Sequence, residues 1–261
     1  MNITILCGHP DSSYAQEVLQ ALNACGLCRI DVVAAMGESP PKTWHALWQA
    51  YSWRLPYAAM RWLINRLVRH VSRTREGRQA AHETLETKVQ AQGGRYIRVL
   101  KINGAECRQA LQVLQVDLMV LAGAPIVRAP ILEVPRIGTI NAHQGALPRF
   151  RGMNVIEWAA FEGHPPAISV HFVDPGVDTG DVIVIEPIPL QCGDTLEAVR
   201  RRASAQQVDL LARTVRAALD GPLPRRSQRP EEGRQYFVMH PRLRVVAQQL
   251  LQQRLLILSK A

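Results

Sequence analysis

Short apolar runs separated by polar turns set the rhythm of the chain. Residues 2–8 are apolar, and the run stops at Gly8-His9-Pro10-Asp11-Ser12-Ser13. Asp11, Ser12 and Ser13 are candidate helix caps, because a short side-chain oxygen there accepts from an unpaired amide of the first turn. Val18, Leu19 and Leu22 then fall on one helical face. Cys25-Gly26-Leu27-Cys28 breaks that helix, and 30–35 is a second apolar run. Strand, helix, strand predicts the opening of a parallel α/β sheet. Farther on, 96–100 reads as a short strand and 105–114 as a helix. Residues 116–122 are almost continuously apolar, as a central strand covered on both faces should be. Segments 138–141, 167–173 and 182–185 are further strands. Beyond 190 the pattern changes to an Arg-rich helix around Arg200-Arg201-Arg202, a Pro-rich link and a short strand at 235–239. A terminal helix follows, with Leu243, Val246, Leu250 and Leu251 on one face. The predicted organisation is an α/β domain with a mainly parallel sheet over 1–190 and a mainly helical, α+β extension over 191–261.

Residues 42–90 interrupt this rhythm. They hold nine Lys and Arg against three Glu, a net charge of +6, and four of the five tryptophans. Met60, Ile64, Leu67, Val68 and Val71 recur at helical spacing, with Trp62, Arg66, Arg69 and Arg73 on the polar face. The expectation is a basic helical insert flanking the site, either steering an anionic ligand or touching a membrane surface peripherally.

Composition narrows the class. The chain has 261 residues, 47% hydrophobic and 20% charged, enough for one large domain or a domain plus an appendage, and wholesale disorder is excluded. No apolar run approaches the ~20 residues of a bilayer span. The first residues read as a buried strand rather than a signal peptide, and five irregularly spaced cysteines fit reduced thiols. The expected location is cytoplasmic. A formal charge of +9 favours anionic partners.

Two polar clusters carry the candidate chemistry. The first is Asn141-Ala142-His143-Gln144-Gly145-Ala146-Leu147-Pro148-Arg149-Phe150-Arg151-Gly152. Asn141 and His143 are two apart, so on an extended segment they share a face. Both donate hydrogen bonds to a developing oxyanion, and His also moves protons. The second cluster, Asp174-Pro175-Gly176-Val177-Asp178-Thr179-Gly180-Asp181, is a loop between two apolar strands. An Asp there either holds His143 in its working protonation state or takes a proton directly. Cys25-x-x-Cys28 has metal-ligand spacing but no second pair, so no metal is expected.

These two blocks resemble the 10-formyltetrahydrofolate-dependent formyltransferase family, whose pattern is Asn-x-His-x-Ser-Leu-Leu-Pro-x-Tyr-x-Gly followed by a loop near Leu-Asp-Thr-Gly-Asp. In pattern the chain most resembles the sugar N-formyltransferases and the catalytic domain of methionyl-tRNA formyltransferases. The resemblance implies a Rossmann-like fold and formyl transfer from 10-formyltetrahydrofolate to a primary amine without a metal. Asn141 and protonated His143 would stabilise the oxyanion. Asp178 would raise the His143 pKa and relay the proton through a bound water. It further implies donor binding by Leu121, Gly123, Ala124, Ile126, Val127, Arg128, Val173, Asp174, Gly176 and Val177, and acceptor binding by His9, Pro10, Asp11, Arg151, Gly152 and Asn154.

The sequence departs from the family where Gly145 and Ala146 replace Ser-Leu. Residues after 190 are too short and helical for the β-barrel of the tRNA enzymes. The expected acceptor is an anionic small-molecule amine such as an amino sugar nucleotide, with no nucleic acid as first choice. The alternatives are a methionyl-tRNA formyltransferase-like enzyme, a formyltetrahydrofolate hydrolase, and a non-catalytic nucleic-acid- or membrane-binding protein on this scaffold.

Overall fold

A computed structural model describes residues 1–27, 29–36 and 84–258. Strand β1 (Ile3–Cys7) is buried along its length. The polar turn after it ends at Ser12, whose hydroxyl accepts from the Ala15 N–H at 3.1 Å and so caps α1 (Ser13–Ala24). Then come β2 (Asp31–Ala35), α2 (Leu85–Ala91), β3 (Tyr96–Val99), α3 (Ala105–Val113), β4 (Leu118–Leu121), α4 (Ala129–Leu132) and β5 (Gly138–His143). The second half adds β6 (Phe150–Gly152), α5 (Val155–Glu162), β7 (Ala167–Phe172), β8 (Val182–Pro187), α6 (Leu196–Asp220), a short 3₁₀ turn, β9 (Arg234–Tyr236) and α7 (Pro241–Leu258).

The main sheet runs β3-β2-β1-β4-β5-β7-β8. Its first five strands are parallel, whereas β7 runs antiparallel to both β5 and β8. Strand order reverses between β1 and β4, and ligands of open α/β sheets bind at such switch points. The loops after these strands touch there. Gly8 sits so close to the Gly123 carbonyl that a Cβ would come within 2.8 Å of its oxygen.

Each face of the sheet has its own core. Ile5, Val32, Val120, Ile140 and Val170 pack with α1, α5, α6 and α7. Leu6, Val33, Met119 and Leu121 pack with α3 and α4. Because α6 contributes Leu196, Val199, Ala203, Leu211 and Val215 to the first core, the division drawn at residue 190 runs between two parts of one core.

The terminal helix turns differently from the sequence pattern. Its buried stripe is Ala247, Leu251 and Leu255, while Leu243 and Val246 are exposed. The i, i+4, i+8 spacing led by a small Ala lets it sit close on α5. The strand at 235–239 is shorter, Arg234–Tyr236, and pairs in parallel with β6. Helices α4 and α5 and strand β6 are additions to the predicted elements. The basic Trp-rich insert over 42–90 lies outside the described residues except for its end, where α2 forms. Cys28 also lies outside them. No described helix is long and apolar enough to cross a membrane.

Ser12→Ala removes the cap and should lower stability by about 1 kcal/mol, read as a lower denaturant midpoint at an unchanged slope.

Candidate active site

The chemistry collects where the apolar face of β5 gives way to polar residues. Asn141 and His143 alternate with the buried Ile140 and Ala142 along β5, so both point to the opposite face from the first core. In the antiparallel register Asn141 faces His171 and His143 faces Ser169. Directly opposed residues share a face, so β5 and β7 present Asn141, His143, His171 and Ser169 together.

The loop after β7 brings Asp178 to this face. One carboxylate oxygen, Oδ2, lies 3.5 Å from His143 Nδ1 and accepts the Gly152 N–H at 2.8 Å. The other, Oδ1, lies 3.6 Å from His171 Nε2. Asp178 adopts a left-handed backbone, φ 54°. Gln228 holds it there by donating to the carbonyls of Asp178, at 3.0 Å, and Gly180, at 2.5 Å. Within the loop, Asp174 accepts from Thr179 at 2.6 Å and from the Gly176 N–H at 3.1 Å, so it shapes the turn.

His143 is almost fully buried. Its Nε2–H donates to the Phe150 carbonyl at 2.8 Å, which leaves Nδ1 facing Asp178. Gly145 makes that arrangement possible. A Cβ at this position would lie 2.7 Å from His143 Nε2 and 2.6 Å from the Phe150 oxygen. Burial pushes the His143 imidazole below its ordinary 6.5, and the Asp178 charge and the Phe150 carbonyl oppose this without cancelling it. The contribution of Asp178 thus has the expected sign, but a net rise in the His143 pKa does not result, because removing the ring from water costs the cation more. Burial also acts to raise the Asp178 carboxyl, yet His171, the charge on His143 and the Gly152 amide outweigh it and hold the group at about 2.

Two clefts open on either side of this cluster. The first, about 160 Å³, is lined by Leu121, Ala124, Ile126, Val127, Val173, Asp174, Gly176 and Val177, together with Asn141, His171 and Asp178. Of the expected donor-binding residues, Gly123 and Arg128 do not line it. Arg128 is exposed, and its N–H is held by Asn103 at 2.8 Å. The second cleft, about 210 Å³, is lined by His143, Gln144, Gly152, Asn154, Glu157, Arg200 and Gln207, among others. Gly152 and Asn154 line it, whereas Arg151 does not and instead donates to the Gly233 carbonyl at 2.9 Å. His9, Pro10 and Asp11 form the turn after β1 and line neither cleft. There His9 accepts the Asp11 N–H at 3.0 Å, and the Pro10 carbonyl accepts from Tyr96 at 3.4 Å.

Sequence reasoning missed His171, Glu157, Gln207 and the cleft role of Arg200. His171 carried a signal, being a titratable side chain inside an otherwise apolar strand. Its Nδ1–H is taken by the Phe172 carbonyl at 2.7 Å, which leaves Nε2 for Asn141, 3.5 Å away, or Asp178. Among the described residues no group of His, Cys, Asp or Glu converges as a metal-ligand set.

A sequence model of the family described as Formyl transferase matches residues 70–215, more than half of the chain. Methionyl-tRNA formyltransferase of Methylacidiphilum infernorum is 31% identical over 126 residues, covering 48% of this chain and 39% of that protein. The chain thus spans less than half the length of such relatives. Glycinamide ribonucleotide transformylase 1 of Symbiobacterium toebii superposes with a TM-score of 0.57 at 21% identity, over 87% of this chain and 93% of that one. An N-formyltransferase of Helicobacter canadensis, solved with folinic acid and dTDP-3-aminofucose, gives 0.55 at 13% identity, over 90% and 70%. At these identities the two structures establish a shared fold.

The electrostatics can be checked by NMR. His143 should titrate below 6.5. Asp178→Asn removes the charge that favours the imidazolium, so the His143 pKa should fall further. A rise in that variant would contradict the assigned balance.

Proposed function

The chain belongs to the formyl transferase family, and on that premise we propose that it transfers a formyl group from 10-formyltetrahydrofolate to the primary amine of an anionic small molecule. The observation that carries the reading is the junction itself. His143 and Asp178 stand between two clefts, with Asn141 facing the first and the amide of Gly152 binding Asp178 from the second.

The first cleft suits a folate donor. A pterin is flat, with apolar faces and a polar edge, and Leu121, Val127, Val173 and Val177 supply apolar walls beside the backbone of two loops. Its volume of about 160 Å³ suits a bicyclic ring rather than the whole donor. When bound, the donor supplies an activated formyl carbon. Asn141 directs an amide donor at the oxygen that gains charge, and such preorganised donors stabilise it in a water-poor site. Burial keeps His143 neutral near pH 7, so it is a base rather than a standing cation. As it takes up the proton that the attacking amine loses, Asp178 stabilises the imidazolium formed and the Phe150 carbonyl keeps the ring in place, and the proton then passes to the departing tetrahydrofolate nitrogen. The Asp178 carboxyl, held at about 2, stays ionised throughout. The site residues here are Asn141, His143 and Asp178 for the reaction, with His171 orienting Asn141 and Asp178.

The second cleft is the proposed acceptor side. A small anionic amine, such as an amino sugar nucleotide, is favoured by the formal charge of +9. The Helicobacter enzyme with dTDP-3-aminofucose has the same fold. The tRNA reading has its own support in the methionyl-tRNA formyltransferase relatives. Against it, the residues after β8 fold back as α6 and α7 onto the sheet unit. Hydrolysis of the donor would need this cleft closed to all but water.

The test is a mass-spectrometric screen of amines with 10-formyltetrahydrofolate, scoring gain of one formyl group, paired with release of tetrahydrofolate. Asn141→Ala and His143→Ala should each lower the rate by about 10²–10³ at a melting temperature close to wild type. Near wild-type turnover in both would overturn the reading.

A further inference from the structure

Glu157 of α5 is completely buried, and it lines the second cleft beside His143. Two guanidiniums reach it. Nη2 of Arg200, from α6, lies 2.6 Å from Glu157 Oε1, and Nε of Arg244, from α7, lies 3.3 Å from the same oxygen. These approaches are charge contacts rather than aligned hydrogen bonds, and neither Glu157 oxygen has a hydrogen-bond donor on it. Two positive charges thus share one carboxylate, which leaves a net positive charge at the cleft wall. A buried carboxylate of this kind needs its partners, so Glu157 holds both arginines in place.

Arg200 is the one that opens to the cleft, with 34% of its side chain exposed. The other polar side chains on the wall each have a protein partner. Gln144 donates to Gln207 at 2.8 Å, and Gln207 donates to the Ala142 carbonyl at 2.6 Å. The Gly152 N–H goes to Asp178, His143 faces Phe150 and Asp178, and Asn154 Oδ1 accepts the Met239 N–H at 3.0 Å. With His143 kept neutral by burial, Arg200 is the cationic side chain that the described lining residues present to a ligand.

We infer that Arg200 is an anion clamp in the second cleft and that Glu157 is its positioning residue. The ligand of this cleft therefore carries a carboxylate or phosphate group. A guanidinium presents a planar fork of donors that matches such oxyanions, and a fork fixed from behind loses less freedom when it binds. The inference deepens the proposed function, on which its word "acceptor" rests, by requiring the acceptor to bear an oxyanion as well as its amine. The anion site itself stands on the geometry of the cleft.

The experiment titrates the full chain, without donor or amine, with inorganic phosphate, inorganic pyrophosphate and malonate, read by calorimetry and by the NMR signal of the Arg200 Nε–H. Wild type should bind at least one of these, and the ranking of phosphates against malonate tells which oxyanion the clamp prefers. Arg200→Gln should bind about ten- to hundredfold more weakly, the loss expected of a charge-assisted hydrogen bond. Arg200→Lys should fall between, because it keeps charge but not the fork. Glu157→Gln should weaken binding and broaden or shift the Nε–H signal in the probe-free protein. If that variant does not fold, the two Arg200 variants carry the test. Equal affinity in wild type and Arg200→Gln, or no binding of any probe by wild type, would overturn the clamp. Formyl transfer is read separately by tetrahydrofolate release. Arg200-dependent anion binding without transfer would leave the clamp standing and remove the enzymatic reading, and the converse result would do the opposite.

Discussion

The site depends on one partly buried carboxylate. Asp178 ties three separate pieces of chain together, accepting the amide of Gly152 and facing the imidazoles of His143 and His171. A carboxylate largely removed from water is stable only when its partners are in position, so the segments after β5 and β7 are fixed relative to each other by the same charge that the proposed chemistry uses. The left-handed backbone at Asp178 has a cost for a non-glycine residue, and Gln228 offsets it by bonding the carbonyls on either side of Thr179. The segment after α6 is therefore part of the site's support. The β6–β9 pair extends that support, with Phe150 stacked on Tyr236 at 5.4 Å and the Phe150 carbonyl holding His143.

The same carboxylate explains the division of labour between two histidines of similar chemistry. His143 and His171 lie edge to face, their centroids 6.4 Å apart. Each gives one N–H to a backbone carbonyl and turns its other nitrogen toward Asp178. Two imidazoliums beside one carboxylate would repel each other, and the presence of His171 is one of the influences that lower the His143 pKa. Burial is the larger one. The balance favours a neutral, proton-accepting ring over a permanently charged oxyanion donor. In the proposed reaction the oxyanion role then falls mainly to Asn141.

Much of this was legible in the sequence because it is local. The Asn141/His143 alternation, the apolar run of β4 and the Asp178 loop are written as short-range patterns, and the family resemblance joined them. What escaped depends on pairing across the chain. His171 matters because an antiparallel register sets it opposite Asn141, and sequence spacing alone does not fix register. Glu157 and Arg200 meet only once α5 and α6 pack together, and each taken alone reads as an ordinary helix residue. The stripe of α7 was misjudged because four apolar residues at helical spacing have more than one possible face, and the partner helix selects it. Gly145 shows the reverse case. It looked like a departure from the family, and the structure gives it a steric reason in the close approach of the His143 ring.

In the proposed reaction the charge of Asp178 governs the proton handled by His143. This control is tested most directly by the pH dependence of tetrahydrofolate release in wild type and Asp178→Asn, using the amine found by the mass screen. The wild-type rate should fall on the acid side of a midpoint below 6.5, as His143 becomes protonated and ceases to accept a proton. In the variant the rate should drop by at least about 10², and the residual acid limb should move to lower pH. Full activity with an unchanged profile in Asp178→Asn would contradict the account and leave the carboxylate with a structural role alone.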